Sequence, residues 1–346
     1  MTLDLPLIWA ALIAVAVLLY VTLDGFDLGV GILFPFARSV ADRDTMMATI
    51  APYWDGNETW LVLGGGGLFA AFPGAYAALL PAFYLPIILM LLALILRGVA
   101  FEFRLHGRTH GKTLWAFAFG FGSLLAALAQ GAILGGFIQG VRVTGDAFGG
   151  EAFAGGAFDW ATPYTALTAV GLVAGYALLG AGWMMVKTAD DLHGDARRWG
   201  RIAALAVAAL LAAVSVATLL VHPGVAARWG VSGAGINLAK LAPLAPIPAI
   251  GAGGLAVVFV GLRRGSHVWP FVGALIVFLS GYLGLGASFF PNIVPYHITF
   301  RAAANADNAL GLLLIGVGGM LPVILGYTVF VYWVFRGKVA ADAGYH

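Results

Sequence analysis

The chain has 346 residues, 61% of them hydrophobic and only 10% charged, with a mean hydropathy of +0.95. Soluble domains carry about 25% charged residues, so this composition excludes an ordinary globular protein and indicates a polytopic membrane protein. The formal net charge of +2 offers no basic surface to a nucleic acid, and the lack of cysteine excludes disulfides, iron–sulfur clusters and thiolate metal sites.

Leu7 to Tyr20 is apolar, but no basic run precedes it and the stretch outruns a signal core, so it reads as a first membrane span. A span needs about 20 apolar residues. Nine segments qualify: 7–33, 50–72, 75–97, 114–139, 163–186, 201–221, 241–262, 268–290 and 308–335. The expected fold is all-α, one integral membrane domain over 1–346, and two four-helix bundles plus one peripheral helix fit the count. Pro73-Gly74 marks a tight turn between the second and third spans, and Pro243, Pro246 and Pro248 crowd the start of the seventh. The 49 glycines suit close helix packing in a bilayer. The segment 140–161, with Asp146, Glu151 and Asp159, reads as an ordered cap anchored by Phe158 and Trp160. The segment 222–240, with Trp229 and Asn237, reads the same way.

Lys and Arg in the connections set the orientation. Four of the eighteen, Arg142, Arg228, Lys240 and Arg301, lie in connections on one side, and the rest lie on the other. The bias predicts the N-terminus outside and the C-terminus inside, which also requires an odd number of spans.

Two polar stretches break the apolar pattern near the inner level: Asp24-Gly25-Phe26-Asp27-Leu28-Gly29 and Trp54-Asp55-Gly56-Asn57-Glu58. Each holds two acids three residues apart, hence on one helix face. A charged acid at membrane depth costs roughly 2.5–3.5 kcal/mol. Asp24, Asp27, Asp55 and Glu58 therefore point to proton or ion chemistry. The competing reading is structural: Asp27 as a cap at a helix break, and Asp55 as a first-turn carboxylate satisfied by free N–H groups. Arg97, Glu102 and Arg104 bring polar groups to the same level. Arg97 with Glu102 reads either as an ion pair at the membrane surface or as a gate for protons. Gly64-Gly65-Gly66-Gly67 has no following Lys-Ser or Lys-Thr, so it reads as a packing surface rather than a phosphate loop. None of the seven histidines, His106, His110, His193, His222, His267, His297 and His346, falls in mid-span, which gives little support to haem ligation by this chain.

These motifs resemble subunit II of the cytochrome bd-type quinol oxidases. The resemblance rests on Asp24-Gly-Phe-Asp-Leu-Gly-Val-Gly31, Ile50-Ala-Pro-Tyr-Trp-Asp-Gly-Asn-Glu-Thr-Trp60, Phe69-Ala-Ala-Phe-Pro73, Arg97-Gly-Val-Ala-Phe-Glu-Phe-Arg104 and Phe158-Asp-Trp-Ala-Thr-Pro163. It continues through Gly175-Tyr-Ala-Leu-Leu-Gly-Ala181 and Phe290-Pro-Asn292 to Tyr332-Trp333. The length and the tail Tyr332-Trp-Val-Phe-Arg-Gly-Lys338 resemble the cyanide-insensitive branch. Phe300-Arg301 departs from the Trp-Asp of many members, and Glu58 replaces a Gln found in some.

The resemblance implies a complex in a bacterial-type inner membrane. Its haem-bearing subunit I would carry two haems b, one haem d and the quinol site, and no haem would be ligated by this chain. It further implies a structural quinone in some members and small single-helix subunits. The substrates would be quinol and oxygen. Asp24 and Asp55 match residues of a proton route, to which Asp27, Glu58 and Glu102 are added as neighbours. Arg97, with Trp54, matches the haem side of the subunit interface. The rival class is a proton- or sodium-coupled secondary transporter, which the acid-free stretch from Ala196 to Ala306 disfavours.

Overall fold

Long runs of helix-forming apolar residues, punctuated by Pro and Gly, set the order of elements. A computed structural model describes residues 3–106, 109–145, 151–233 and 235–339; Arg108, Asp146 and His346 lie outside the described residues. The first helix, α1 (Leu5–Leu33), starts at Asp4, whose carboxylate accepts from the Leu7 N–H, and it ends in a 3-10 turn at Phe34–Phe36. Next come α2 (Val40–Ile50), α3 (Trp54–Ala71), α4 (Pro73–Ala82), α5 (Tyr84–His106), α6 (Thr109–Gln139) and α7 (Pro163–Lys187). The remainder comprises α8 (Asp190–Val221), α9 (Pro223–Arg228), α10 (Leu238–Leu241), α11 (Pro246–Arg264), α12 (Trp269–Phe289), α13 (Phe300–Ala303) and α14 (Asp307–Val334).

Eight helices among the described residues are long and apolar enough to cross a membrane: α1, α5, α6, α7, α8, α11, α12 and α14. The segment expected to span over 50–72 is α3. It is 18 residues long, with Asp55 and Glu58 in its first two turns, and it is not one of the eight. The segment expected over 75–97 is divided at Phe83 into α4 and α5. Pro86 has no N–H to offer the Ala82 carbonyl, so the helical bond across that point cannot form. α5 then runs to His106, well past the expected end, and α8 starts at Asp190 rather than at 201. Among the described residues, three antiparallel two-stranded ribbons occupy connections: β1 (Val143–Gly145) with β2 (Glu151–Phe153), β3 (Val231–Ser232) with β4 (Gly235–Ile236), and β5 (Asn292–Val294) with β6 (Ile298–Thr299). All three lie on the side that the Lys and Arg count assigns to the exterior. In the first, the exposed Arg142 pairs with Asp159, and that ion pair with the Gly156 N–H holds the Asp159 carboxyl below its ordinary range.

The inner connection between α1 and α3 contains a helix that hydropathy does not reveal. Ser39 and Asp42 form a reciprocal capping box that starts α2. Met46, Met47 and Ile50, in the second half of α2, are buried in the main core, whereas Val40, Ala41 and Asp44 toward its start are exposed. The buried Arg104 reaches α2 through Asp44 at 2.5 Å, and Arg38 pairs with Asp195 of α8.

α1 is the central helix and packs on α3, α6 and α7. With α5 alongside α6, these make one group; α7, α8, α11 and α12 make a second, and α14 lies outside against α1 and α3. Phe26, inside the first polar motif, stacks on Trp183 of α7 with ring centroids 4.2 Å apart. The α1–α7 contact is closest at Gly29 and Gly180. A Cβ on Gly29 would collide with the Tyr176 carbonyl, and one on Gly180 would collide with the Gly29 backbone. The glycine run 64–67 divides its roles: Gly64 and Gly67 face Val17 and Ile13 of α1, whereas Gly65 and Gly66 are exposed with open space around them.

Gly29→Val must push the α1 and α7 backbones apart, so it is expected to cost about 3 kcal/mol or more and to abolish recovery of the assembled protein from membranes. Gly65→Ala meets nothing within 4 Å and should be recovered at the wild-type level; size-exclusion chromatography of detergent extracts reads both.

Candidate functional site

Asp24 and Asp27 sit in the last three turns of α1, where both are fully buried. Burying charge is costly unless it is paired, and the pairing comes from α5 and α3. Arg97, itself only 2% exposed, places Nη1 2.6 Å from Asp24 Oδ1 and Nη2 2.7 Å from Glu58 Oε2. One guanidinium fork thus ties three helices together. Glu58 is 29% exposed, so the cluster extends from the buried Asp24 to the surface of this chain.

Asp27 belongs to a second arm. Asn57 Nδ2 donates to Asp27 Oδ2 at 2.7 Å, and the Tyr332 hydroxyl of α14 donates to Asn57 Oδ1 at 2.9 Å. The end of α14 is secured close by. Lys187 Nζ, buried among Tyr53 and Trp183, donates to the Tyr53 hydroxyl at 2.9 Å and to the Phe335 carbonyl. One oxygen of each aspartate, Asp24 Oδ2 and Asp27 Oδ1, is buried without a hydrogen-bond partner among the described residues.

The other expected residues are more dispersed. Trp54, at the first position of α3, lies beneath the Arg97 guanidinium, 6.0 Å from its ring centroid, and packs on Phe101 and over Gly98. Asp55 follows it in the first turn and is exposed, and it is not one of the two carboxylates paired with Arg97. Glu102 does not share the Arg97 fork. Five residues advance a helix by about 140° beyond one full turn, which puts Glu102 on an exposed face of α5 while Arg97 turns inward. Asn57 and Tyr332 were not among the expected site residues. Asn57 could have been found from its place inside the Trp54–Glu58 motif; Tyr332 lies 275 residues from it, and no spacing rule joins them. A cavity of about 290 Å³, lined by residues including Phe83, Gln139 and Trp160, lies at the far end of α6, remote from the acids.

The family model described as cytochrome bd terminal oxidase subunit II matches residues 5–335. The chain belongs to this family. It is 29% identical to the cytochrome bd-I ubiquinol oxidase subunit 2 of Escherichia coli K12, over 98% of this chain and 96% of the relative. It is also 29% identical to the cytochrome bd ubiquinol oxidase subunit 2 of Bacillus subtilis, with 96% of each covered. The structure of the bd oxidase from Geobacillus thermodenitrificans superimposes with a TM-score of 0.72 at 17% identity, covering 97% of this chain, which establishes the shared fold. As a cytochrome bd subunit II, the chain is a membrane-integral component of a quinol oxidase, an oxidoreductase complex of the bacterial membrane that contains haem and a partner subunit. These matches do not favour the transporter reading.

The histidines whose side chains are described lie at helix ends or in connections. Nδ1 of His193 and Nδ1 of His267 both face the Met185 carbonyl at 3.2 Å, His222 Nδ1 accepts from the Gly224 N–H at 3.0 Å, and His297 is exposed in a connection.

Arg97→Met would strand two carboxylates, one of them fully buried, and is expected to cost about 3–5 kcal/mol, so that little complex survives purification. Glu58→Gln keeps a hydrogen-bond acceptor for Arg97 at the partly exposed end and should cost about 1 kcal/mol. Thermal unfolding of the purified complexes separates the two outcomes.

Proposed function

We propose that this subunit carries protons from the cytoplasmic side toward the site of oxygen reduction on its partner. The observation that supports this most is that one guanidinium, Arg97, holds the partly exposed Glu58 and the fully buried Asp24 side by side. One guanidinium faces the carboxyls of Asp24, Asp27 and Glu58. Full ionisation would leave two negative charges uncompensated inside the bundle, so the cluster can hold and exchange protons.

In this reading Asp55 and Glu102, exposed on neighbouring helices at the same level, collect protons at the inner surface. Glu58 passes them inward and Asp24 is the buried carrier. Arg97 fixes both carboxyls and offsets their charge without giving up its own proton. Asp27, held by Asn57 and Tyr332, is a second buried acceptor one turn away. Trp54 closes the Arg97 side of the cluster against water and marks the face turned to the partner.

The partner, subunit I, would hold two haems b and one haem d, which supply the electrons and bind oxygen. Quinol oxidised at the outer face releases its protons outside, whereas the protons that make water come from inside, so charge is separated without a pump. A structural quinone and small single-helix subunits complete the assembly in this reading.

Asp24→Asn should lower oxygen consumption at least about tenfold with haem content and quinol KM unchanged. Asp55→Asn, at an exposed position that neighbouring acids can replace, should lower it only a few-fold. Normal oxygen consumption by fully haem-loaded complexes of both variants would rule out the relay.

A further inference from the structure

Beside Asp24 lies a buried chain of uncharged polar groups that neither the motifs nor the proton route includes. Tyr176 of α7 donates its hydroxyl to Gln130 Oε1 of α6 at 2.6 Å. Gln130 Nε2 in turn donates to the Tyr20 hydroxyl of α1 at 2.7 Å. All three side chains are buried. The first motif makes room for this chain: a Cβ on Gly25 would lie 2.8 Å from Cε1 of Tyr176.

The direction of donation is the informative feature. A tyrosine hydroxyl that accepts from Gln130 keeps its own proton to give elsewhere. Tyr20 is four residues before Asp24 on the same face of α1, one helical turn away. Asp24 Oδ2 is the oxygen left over when Oδ1 is taken by Arg97. A donor with a spare proton thus sits one turn from a buried acceptor with a spare lone pair, and burial makes an unmade bond costly for both. The amide in the middle cannot relay a proton, so the chain ends the route on this side rather than extending it.

We propose that Tyr20 is a positioning residue for Asp24: its hydroxyl, oriented by Gln130 and Tyr176, donates to Asp24 Oδ2 and holds the carboxyl in the pose from which it exchanges protons. The charged and titratable groups facing Asp24 are then Asp27 and Tyr20 on α1, Glu58 on α3, Arg97 on α5, Tyr176 on α7 and Tyr332 on α14. The opposite amide orientation would turn the Tyr20 proton toward Gln130 and leave Oδ2 bare.

The kinetic consequence rests on reading Asp24 as a proton carrier; the hydrogen bond itself does not. The test uses the whole purified complex. Tyr20→Phe should slow oxygen consumption about three-fold with haem content and quinol KM unchanged, and should slow it no further in a D24N background, as expected for residues acting through one another. In reduced-minus-oxidised infrared difference spectra, the carboxyl bands that Asp24→Asn removes should be displaced by Tyr20→Phe. Tyr176→Phe should displace them in the same direction by less, and it takes the place of Tyr20→Phe if the latter does not assemble. Unmoved bands, or an equal slowing with and without Asp24, would overturn the proposal. If Asp24→Asn leaves turnover normal, the relay reading fails, and the infrared bands alone then decide the hydrogen bond.

Discussion

A guanidinium buried with its charge is tolerable only when carboxylates surround it, and Arg97 meets that condition by drawing Asp24 from α1 and Glu58 from α3. Each contact, at under 3 Å, is worth several kcal/mol in a medium of effective dielectric about 20, set against the desolvation of all three groups. The cluster is therefore hard to remove piecemeal. Much of the surrounding structure serves it: Gly29 and Gly180 bring α7 against α1 beside the acids, Phe26 stacks on Trp183 between them, and the second half of α2 packs into the same core.

That arrangement places ionisable groups on a gradient of exposure. Asp24 and Asp27 see no solvent through this chain, Glu58 sees some, and Asp55 and Glu102 are open. A gradient of this kind suits a one-way supply of protons to a consuming reaction, because the interior carriers can exchange only through their neighbours. It also divides stability from transfer. Arg97 and Asn57 hold the carboxyls in place, and in the proposed route the carboxyls are left to exchange protons.

Much of this was legible in the sequence because the forces involved are local. Apolar runs of fixed length identify the long helices, and the i, i+3 spacing puts Asp24 beside Asp27. The depth of Arg97 in an apolar run marks it as a residue in need of a partner. What the sequence conceals depends on contacts between distant segments. Nothing local shows that Arg97 turns to Asp24, 73 residues away, rather than to Glu102, five residues away; helix geometry alone sets those two about 140° apart. α2 escapes hydropathy because it is short and its first half is polar. The break at Phe83 escapes it because hydropathy does not register the missing N–H of Pro86. Gln130 could have been noticed as a lone amide in an apolar span, but its two tyrosines come from other helices.

The central claim is that protons consumed in oxygen reduction pass through the Arg97-held acids. Reconstituting the complex in liposomes with a pH indicator on the inner-facing side, and following proton uptake after oxygen is added to the reduced enzyme, tests it most directly. Uptake should slow in step with oxygen reduction in the Asp24→Asn complex while the haems remain fully loaded and reducible. Uptake at the wild-type rate from the same side would mean that the protons take another path and that the cluster serves only to hold the helices together.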